Sequence, residues 1–352
     1  MTLPELLPWG SEAEAAALLH LDQLTKPPGS LGRIERLGSW WCGATSTFPA
    51  RRPERARLYT FAGDHGVTAE GVSPYPSAVT GQMVHNFLAG GAAVNVFARQ
   101  YGVELAVVDV GVAGGLEGAA SSSHAAFLAR RVRSGTGNMA RELAMTREEA
   151  EAAVAVGVAC AREAASEGVS ILGAGEMGIG NTTAAAACLA ATAGMPGKLV
   201  AGRGTGVDDA GLARKVATID RAIALHRPDR FDGMGILSAV GGLEIAAIAG
   251  LCIGGASLGI PVVLDGFIST AGGMIANLLV PGVSAWFQVS HKSAENAHWA
   301  MSRMLGKDPV HDLELRLGEG TGAILGIDTV RLATRVMAEM ATFTSAGVGN
   351  KA

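Results

Sequence analysis

The stretch at residues 169–191, VSILGAGEMGIGNTTAAAACLAA, constrains the fold of this chain more than any other. It starts as an apolar run with the length of a buried strand, breaks into glycines, and continues into an alanine-rich run that favours a helix. Asn181, Thr182 and Thr183 stand where the helix should begin, which predicts a polar N-cap there. A strand, a glycine loop and a helix N-terminus in this order present free backbone N–H groups to an anion such as phosphate.

The same stretch contains a formal G-x-G-x-x-G at residues 173–178, the pattern of a dinucleotide site. That site also requires an acidic residue about 20 positions further on to hold the ribose. The corresponding region, AGMPGKLVAGRG, contains no acid. We therefore predict a phosphate cradle in preference to an NAD site, and a plain connecting turn remains the alternative.

The composition indicates a folded chain with much buried backbone. Its 352 residues suffice for one large or two moderate domains, 49% are hydrophobic and 17% are charged. The net charge is -4 with no basic tract, which argues against a nucleic-acid partner. The four cysteines are widely spaced and the N-terminus lacks the pattern of a signal peptide, so we expect reduced thiols and a cytoplasmic location.

Two long uncharged stretches, residues 245–264 and 266–290, have the length of membrane spans. Both contain glycine and proline, and the first ends in PVVLDGF, which is typical of a central strand. Continuous apolar runs also mark buried parallel strands, so we predict a soluble core and no membrane insertion.

From residue 57 onward, predicted strands alternate with predicted helices, as in an α/β fold with a doubly wound, mostly parallel, Rossmann-like sheet. We assign residues 51–305 to this substrate-binding domain. The helices predicted at 11–24 and 31–44, and one at 328–344, lie outside the alternation. We expect residues 1–50 and about 306–352 to form a small helical domain, because chain termini are often close in space.

Other helices are predicted near 78–101, 146–167, 208–225, 268–280 and 293–305, and a second glycine turn at 198–206. The predicted N-caps are Ser11 with Glu14, Ser30, Thr146 with Glu149, and Asp208.

Three predicted strands end in aspartate, at Asp64, Asp109 and Asp265. Parallel strands share one carboxyl edge, which is where α/β proteins bind ligands. One interpretation is that these acids, with His65 and His291, converge on a metal ion. The other is that they accept hydrogen bonds from loop N–H groups.

A second informative stretch near the C-terminus, RLGEGTG, places Glu319 between glycines. A carboxylate with so little shielding from its neighbours suits a general base, although a surface turn has the same pattern. The chain has no Walker A sequence and no G-x-S-x-G, which argues against ATP hydrolysis and a serine hydrolase.

Six motifs in one order resemble those of the nicotinate-nucleotide–dimethylbenzimidazole phosphoribosyltransferase family. They are KPPGSLG at residue 26, DHGV at 64, GEMGIGNTT at 175, DGF at 265, SHKSAE at 290 and LRLGEGTG at 315. The resemblance implies transfer of the phosphoribosyl group of nicotinate mononucleotide to 5,6-dimethylbenzimidazole, giving nicotinate and α-ribazole 5′-phosphate. It also implies a homodimer and no metal or other cofactor.

Carried over motif by motif, the resemblance makes Glu319 the general base. It places the 5′-phosphate on Gly178, Gly180, Asn181 and Thr182, with Lys215 as a counter-charge and Glu176 close to the reacting groups. Tyr75 and Met83 would line the slot for the benzimidazole, since a ring and a thioether suit a flat aromatic ligand.

Two other functions stay open at the level of the sequence. A metal-dependent phosphohydrolase would use the aspartates at the strand ends. A non-catalytic nucleotide-binding protein would use the phosphate cradle and leave Glu319 without a role.

Overall fold

The computed structural model describes residues 1–204 and 206–349. Its six strands are β1 (Ala56–Gly63), β2 (Glu104–Gly111), β3 (Ala126–Ala129), β4 (Ile171–Met177), β5 (Val262–Leu264) and β6 (Phe287–Val289). The helices are α1 (Ser11–Gln23), α2 (Arg33–Thr45), α3 (Val79–Ala89), α4 (Ala93–Tyr101), α5 (Arg147–Ser166), α6 (Asn181–Ala193), α7 (Gly197–Val200), α8 (Asp209–His226), α9 (Gly233–Val240), α10 (Leu243–Ser257), α11 (Phe267–Leu279), α12 (His298–Met304), α13 (Thr321–Glu339) and α14 (Phe343–Ala346). Short 3₁₀ turns cover Gly66–Glu70 and Val283–Trp286.

The strands form one parallel sheet in the order β3-β2-β1-β4-β5-β6. The chain starts in the middle, winds outward to β3, returns to β4 beside β1, and winds outward to β6. This doubly wound order confirms the predicted α/β fold. It also creates a switch point between β1 and β4, where such sheets bind ligands beyond the carboxyl ends of the strands.

Both faces of the central strands are covered. Strands β1, β4 and β5 are almost entirely buried, as expected for a parallel sheet between helical layers. One of these layers pairs α5 with α10 at a distance that only glycine permits. A Cβ added to Gly157 would lie 1.8 Å from the carbonyl oxygen of Ala247, and one at Gly250 would lie 1.9 Å from that of Val154.

The terminal helices pack together. Leu21 of α1, Cys42 of α2 and Met337 of α13 belong to one small apolar cluster. Helix α13 also reaches the main core through Ile324 and Ile327. The separate helical domain therefore stays a prediction, and residues 350–352 of its expected range lie outside the described residues.

Two predicted N-caps are wrong, and local hydrogen bonds explain why. Gly10 precedes α1 in place of Ser11, because the Glu14 carboxylate accepts from the Trp9 indole (2.8 Å). Gly32 precedes α2 in place of Ser30. There the Glu35 carboxylate accepts from the backbone of Gly29 and Leu31, at 3.2 and 2.8 Å, and pairs with buried Lys26 at 2.9 Å.

The caps at Thr146 and Asp208 are confirmed. Thr146 accepts from the N–H of Glu149, and Asp208 accepts from the N–H of Gly211. The second glycine turn, predicted at 198–206, is confirmed only in its later part, since Gly204 and Gly206 have positive φ angles but residues up to Val200 belong to helix α7. Thr205, between them, lies outside the described residues.

Several predicted boundaries differ from the structure. The helix at 78–101 is two helices, because the chain turns at Gly90, whose φ is +80°. The helix at 293–305 begins only at His298, whose ring accepts a hydrogen bond from the N–H of Ser293. The helix predicted from 328 begins at Thr321. The short strand β3 at the sheet edge was not predicted.

The two uncharged stretches lie inside the fold. Residues 245–264 fall in α10, a turn and β5, and residues 266–290 continue through α11 to β6. Within residues 1–204 and 206–349, no helix has both the length and the hydropathy needed to cross a bilayer. The four cysteines are buried and unpaired.

Candidate active site

A cavity of about 620 Å³ opens at the carboxyl edge of the sheet, beyond β4, β5 and β6. Seven predicted site residues line it: Tyr75, Met83, Glu176, Gly178, Asn181, Thr182 and Glu319. Gly180 and Lys215 do not line the cavity but lie directly behind it, as described below. The structure thus brings together residues that are up to 244 positions apart in the sequence.

The glycine loop is shorter than predicted. Strand β4 continues through Met177, so Glu176 belongs to the strand and the loop is limited to residues 178–180. The N-cap of α6 is Gly180, with φ +95°, and not Asn181, which is the first helical residue. The glycines allow close packing, because a Cβ on Gly178 would lie 2.3 Å from the carbonyl oxygen of Gly63. The loop and the first turn of α6 therefore sit directly against the end of β1.

A buried lysine stands behind this loop. Lys215 of α8 is 1% exposed, and its ammonium donates to the Thr182 hydroxyl at 3.0 Å. Burial lowers its pKa, while the nearby Glu295 carboxylate acts in the opposite direction. Glu295 itself accepts from the N–H of Gly204 at 2.7 Å. The first turn of α6 thus has a cation next to it, which favours binding of an anion.

Glu319 lies in an unusual backbone segment. Gly318, Glu319 and Gly320 have φ angles of +86°, +66° and +100°. A left-handed conformation at a non-glycine residue costs on the order of 1–3 kcal/mol and persists only where its surroundings fix it. The Thr60 hydroxyl donates to the carbonyl oxygen of Glu319 at 2.8 Å, and Asp265 accepts from the N–H of Gly320 at 2.9 Å.

The side chain of Glu319 is buried at the cavity wall. One carboxylate oxygen lies 3.4 Å from the N–H of Val94, at the start of α4. Burial raises the pKa of this carboxyl group above 4.5, and the Val94 hydrogen bond opposes the shift. A carboxylate with a raised pKa at the edge of a cavity has the properties of a general base that works near neutral pH.

Glu176 is the second carboxyl group of the cavity. The Asn181 amide donates to it. Burial raises its pKa well above 4.5, and the charges of Asp265 and Glu244 add to the effect. Glu176 and Glu319 therefore have different environments, since Glu176 strongly favours the neutral acid.

The aspartates at the strand ends hold loops. Asp64 accepts from the N–H of Ala113 at 2.8 Å, and Asp109 accepts from that of Val112 at 2.9 Å. Asp265 binds the start of α13. Within the described parts of the chain, no three His, Cys, Asp or Glu side chains are grouped so that they could bind a metal ion. The hydrogen-bonding interpretation therefore describes these aspartates, and the phosphohydrolase hypothesis has no ligand set there.

The remaining wall is largely apolar. Besides Met83 and Tyr75, the apolar lining includes four side chains that the sequence analysis does not select, namely Phe267, Ile268, Leu315 and Leu317. Tyr75 is half exposed and marks the cavity mouth. The sequence motifs could have indicated two of these residues, because Phe267 belongs to DGF and Leu317 belongs to LRLGEGTG.

His291, which the metal interpretation places at the carboxyl edge of the sheet, lines the cavity. Its ring lies 3.6 Å from the Asp265 carboxylate and 3.0 Å from the Ser290 hydroxyl. Burial lowers its pKa to about 4, so the imidazole is neutral near pH 7.

Comparison with known proteins identifies the class. A family model described as phosphoribosyltransferase matches residues 8–348. A nicotinate-nucleotide–dimethylbenzimidazole phosphoribosyltransferase from Roseiflexus sp. is 48% identical over 350 residues, which cover 99% of this chain and 98% of the relative. An enzyme of the same name from Geobacter sulfurreducens is 47% identical over 98% of this chain and 97% of its own.

A solved structure shows the same fold. The crystal structure of CobT from Thermus thermophilus has a TM-score of 0.90 and 46% sequence identity, covering 97% of this chain and 100% of that one. The parallel sheet and its cavity thus belong to a phosphoribosyltransferase. The chain is a member of the nicotinate-nucleotide–dimethylbenzimidazole phosphoribosyltransferase family.

Proposed function

We propose that this protein transfers the 5-phosphoribosyl group of nicotinate mononucleotide to 5,6-dimethylbenzimidazole. The products are nicotinate and α-ribazole 5′-phosphate, the nucleotide of the cobalamin lower ligand. The names of its relatives support these substrates. The observation that carries the proposal is that one cavity holds both a glycine loop on a helix N-terminus and the Glu319 carboxylate.

The 5′-phosphate binds at the glycine loop in this proposal. Gly178 and Gly180 let the backbone approach the phosphate, and Asn181 and Thr182 are the first residues of α6. Lys215, which hydrogen-bonds Thr182, supplies the positive charge behind the loop. The helix N-terminus and the buried ammonium both favour a dianionic ligand.

The benzimidazole binds against the apolar wall. Tyr75, Met83 and Phe267, which all line the cavity, offer ring and thioether contacts to a flat aromatic ligand. The benzimidazole ring must place one nitrogen toward the anomeric carbon and the N–H of its other nitrogen toward Glu319.

Glu319 acts as the general base. One ring nitrogen of the benzimidazole attacks the anomeric carbon, and the bond from that carbon to the pyridinium nitrogen breaks. The electron pair neutralises the pyridinium, so nicotinate leaves without a proton. Glu319 takes the N–H proton from the other benzimidazole nitrogen, which leaves the product ring neutral. General-base catalysis contributes about 10²–10⁴-fold to the rate, and positioning supplies much of the remainder.

The chain's own side chains suffice for this reaction as proposed, and no cofactor is included. The proposal further includes a homodimer and a cytoplasmic location. Both substrates are small molecules.

The test mixes the purified protein with nicotinate mononucleotide and dimethylbenzimidazole, with and without a chelator, and separates the products by chromatography. We expect equal amounts of nicotinate and α-ribazole phosphate in both samples. Release of inorganic phosphate that the chelator abolishes would favour the phosphohydrolase. Tight binding of the mononucleotide without any product would favour a non-catalytic binding protein.

A further inference from the structure

We propose that Asp265 and Thr60 are positioning residues for the transfer reaction, because together they fix the backbone that carries the Glu319 carboxylate. The inference rests on the proposed role of Glu319 as general base. Neither side chain lines the cavity, so neither touches the substrates. Thr60 hydrogen-bonds the Glu319 backbone, whereas Asp265 also lies 3.6 Å from the ring of His291 at the cavity wall, so Thr60 gives the sharper test.

The segment around Glu319 is only partly held by its own contacts, in which the N–H and the hydroxyl of Thr321 donate to the carbonyl oxygen of Gly318, at 3.2 and 3.0 Å. Three successive residues, Gly318 to Gly320, have positive φ angles, and the two glycines have the widest backbone freedom of any residue. Helix α13 starts directly after them, and its N-cap Gly320 has no side chain with which to cap the helix. The contacts from neighbouring elements must therefore hold the loop in place.

Asp265 holds the loop on its C-terminal side. This fully buried carboxylate follows β5 and accepts three backbone hydrogen bonds from the start of α13. One oxygen accepts from Gly320 at 2.9 Å, and the other accepts from Gly322 at 2.8 Å and from Ala323 at 3.3 Å. Asp265 thus acts as the N-cap that α13 lacks, from a point 55 residues earlier in the chain.

Thr60 holds Glu319 itself. Its fully buried hydroxyl, in the middle of β1, donates to the carbonyl oxygen of Glu319 at 2.8 Å. The neighbouring strand contributes Gly175, where an added Cβ would lie 2.4 Å from the same oxygen. The Glu319 carbonyl group therefore lies directly against the backbone of β4, with Thr60 as its hydrogen-bond donor. Strands β1, β4 and β5 together define where the carboxylate points.

The competing explanation is that both residues only stabilise the fold, as buried hydrogen-bonded groups generally do. The two explanations differ in kinetics. A purely structural residue changes the stability of the protein but leaves the turnover of each folded active site intact. A positioning residue lowers kcat and leaves KM for nicotinate mononucleotide unchanged, because the phosphate binds elsewhere in the cavity.

The experiment compares Thr60→Val, Thr60→Ser and Asp265→Asn with the wild-type enzyme and Glu319→Gln. Thr60→Val removes the hydroxyl at nearly constant volume, and Thr60→Ser retains it. Thr334→Val is the matched control, because Thr334 is a fully buried threonine of α13 whose hydroxyl donates to the carbonyl oxygen of Arg331 at 2.8 Å. Thermal unfolding and active-site titration with the mononucleotide give the folded fraction of each variant.

We expect Thr60→Val to lower kcat about tenfold and Asp265→Asn about 100-fold, in line with the effect of small displacements of a reacting group. KM for the mononucleotide should stay within about threefold of wild type, since the loop at residues 178–180 is untouched. Thr60→Ser should recover most of the lost turnover, and Thr334→Val should have wild-type kcat.

Wild-type kcat in folded Thr60→Val, or an equal loss in Thr334→Val, would overturn the inference. Thr60→Val differs from wild type by one hydroxyl, so it tests the idea even if Asp265→Asn does not fold. Absence of product with the wild-type enzyme would instead refute the proposed function. If the wild-type enzyme and Glu319→Gln were equally active, Glu319 would not be the general base, and the positioning role of Thr60 and Asp265 would be refuted as well.

Discussion

The pKa of Glu319 decides whether this residue can act as the base at the pH of the cell. Burial removes water from its carboxylate and raises the pKa, and a single backbone N–H, that of Val94, partly compensates. The neighbouring acid, Glu176, is equally buried, and burial together with the charges of Asp265 and Glu244 raises its pKa well above 4.5. The two carboxyl groups of the cavity thus have pKa values raised to different extents, which is typical of active sites.

This environment predicts a pH dependence of the rate. A base must be ionised, so kcat/KM should fall as the pH decreases through the raised pKa of Glu319. We expect the midpoint of this acidic limb to lie above 4.5, the ordinary value for glutamate. The measurement is a pH–rate profile of the wild-type enzyme with both substrates. A limb centred at or below 4.5 would contradict the assignment.

Lys215 gives a second prediction about a single residue. Lys215→Met keeps the length of the buried side chain but removes the charge behind the phosphate loop. A hydrogen bond to a charged group contributes about 1.5–3 kcal/mol, so KM for the mononucleotide should rise roughly 10–100-fold. KM for dimethylbenzimidazole should change little. Lys198→Met, at an exposed lysine of α7, is the control. An equal rise in KM for the mononucleotide in this variant would show that binding does not depend specifically on the charge of Lys215.

At the scale of residues, the sequence predicted which side chains lie at one site but not the hydrogen bonds that position them. The order of the motifs selected Glu176, Glu319 and the glycine loop, and all of them lie at one cavity. One interpretation of the sequence has Asp265 accept from loop N–H groups, but no local pattern indicates that the three donors lie more than 50 positions away. Such contacts depend on the tertiary fold, and so do the pKa values that burial produces.

At the scale of elements, close contact between helix backbones limits which side chains can replace glycine. Helices α5 and α10 touch at Gly157 and Gly250, with no space for a methyl group on either. Their contact lies in the helical layer that covers β4, and β4 carries Glu176 to the cavity. Small residues at this contact therefore support the site indirectly.

Gly250→Ala tests this packing. The new methyl group would lie 1.9 Å from the carbonyl oxygen of Val154, so the helices must separate. Overpacking of this kind costs about 1–3 kcal/mol, which we expect as a loss in the free energy of unfolding measured with denaturant. Gly114→Ala is the control, because its added methyl group would have no neighbour within 4 Å. Equal stability of the two variants would contradict the packing described here.

Element boundaries were predictable where the cap is local. Thr146 and Asp208 cap their own helices, and both were found from sequence spacing alone. Ser11 and Ser30 failed, because Trp9 and Glu35 offer competing hydrogen bonds that helix-cap patterns do not consider. The start of α13 was placed seven residues late, since its cap is Asp265 on another element.

At the scale of the whole molecule, strand order places the chemistry. Strands β1 and β4 lie side by side although α3, α4, β2, β3 and α5 separate them in the chain. Their neighbouring ends bring the glycine loop against residues 63–65, and β5 adds Asp265 and with it the Glu319 loop. The alternation of strands and helices predicted the parallel sheet. The order of the strands came only from the structure.

At the scale of the whole molecule, we predict that two copies of the chain form a homodimer. The resemblance to the family implies it, and the single chain has a mass of 35.7 kDa. Light scattering coupled to size-exclusion chromatography should give twice 35.7 kDa for the purified protein. A mass of one chain across the concentration range of the assay would contradict the dimer without affecting the proposed reaction.

The central claim is that Glu319 removes the proton from the attacking benzimidazole in the cavity that holds the mononucleotide. The most direct test is the turnover of Glu319→Gln at saturating concentrations of both substrates, with calorimetric binding of nicotinate mononucleotide as the control for an intact site. We predict a loss of about 10²–10⁴-fold in kcat with mononucleotide affinity close to wild type. Turnover close to wild type in a variant that binds the mononucleotide normally would contradict the account.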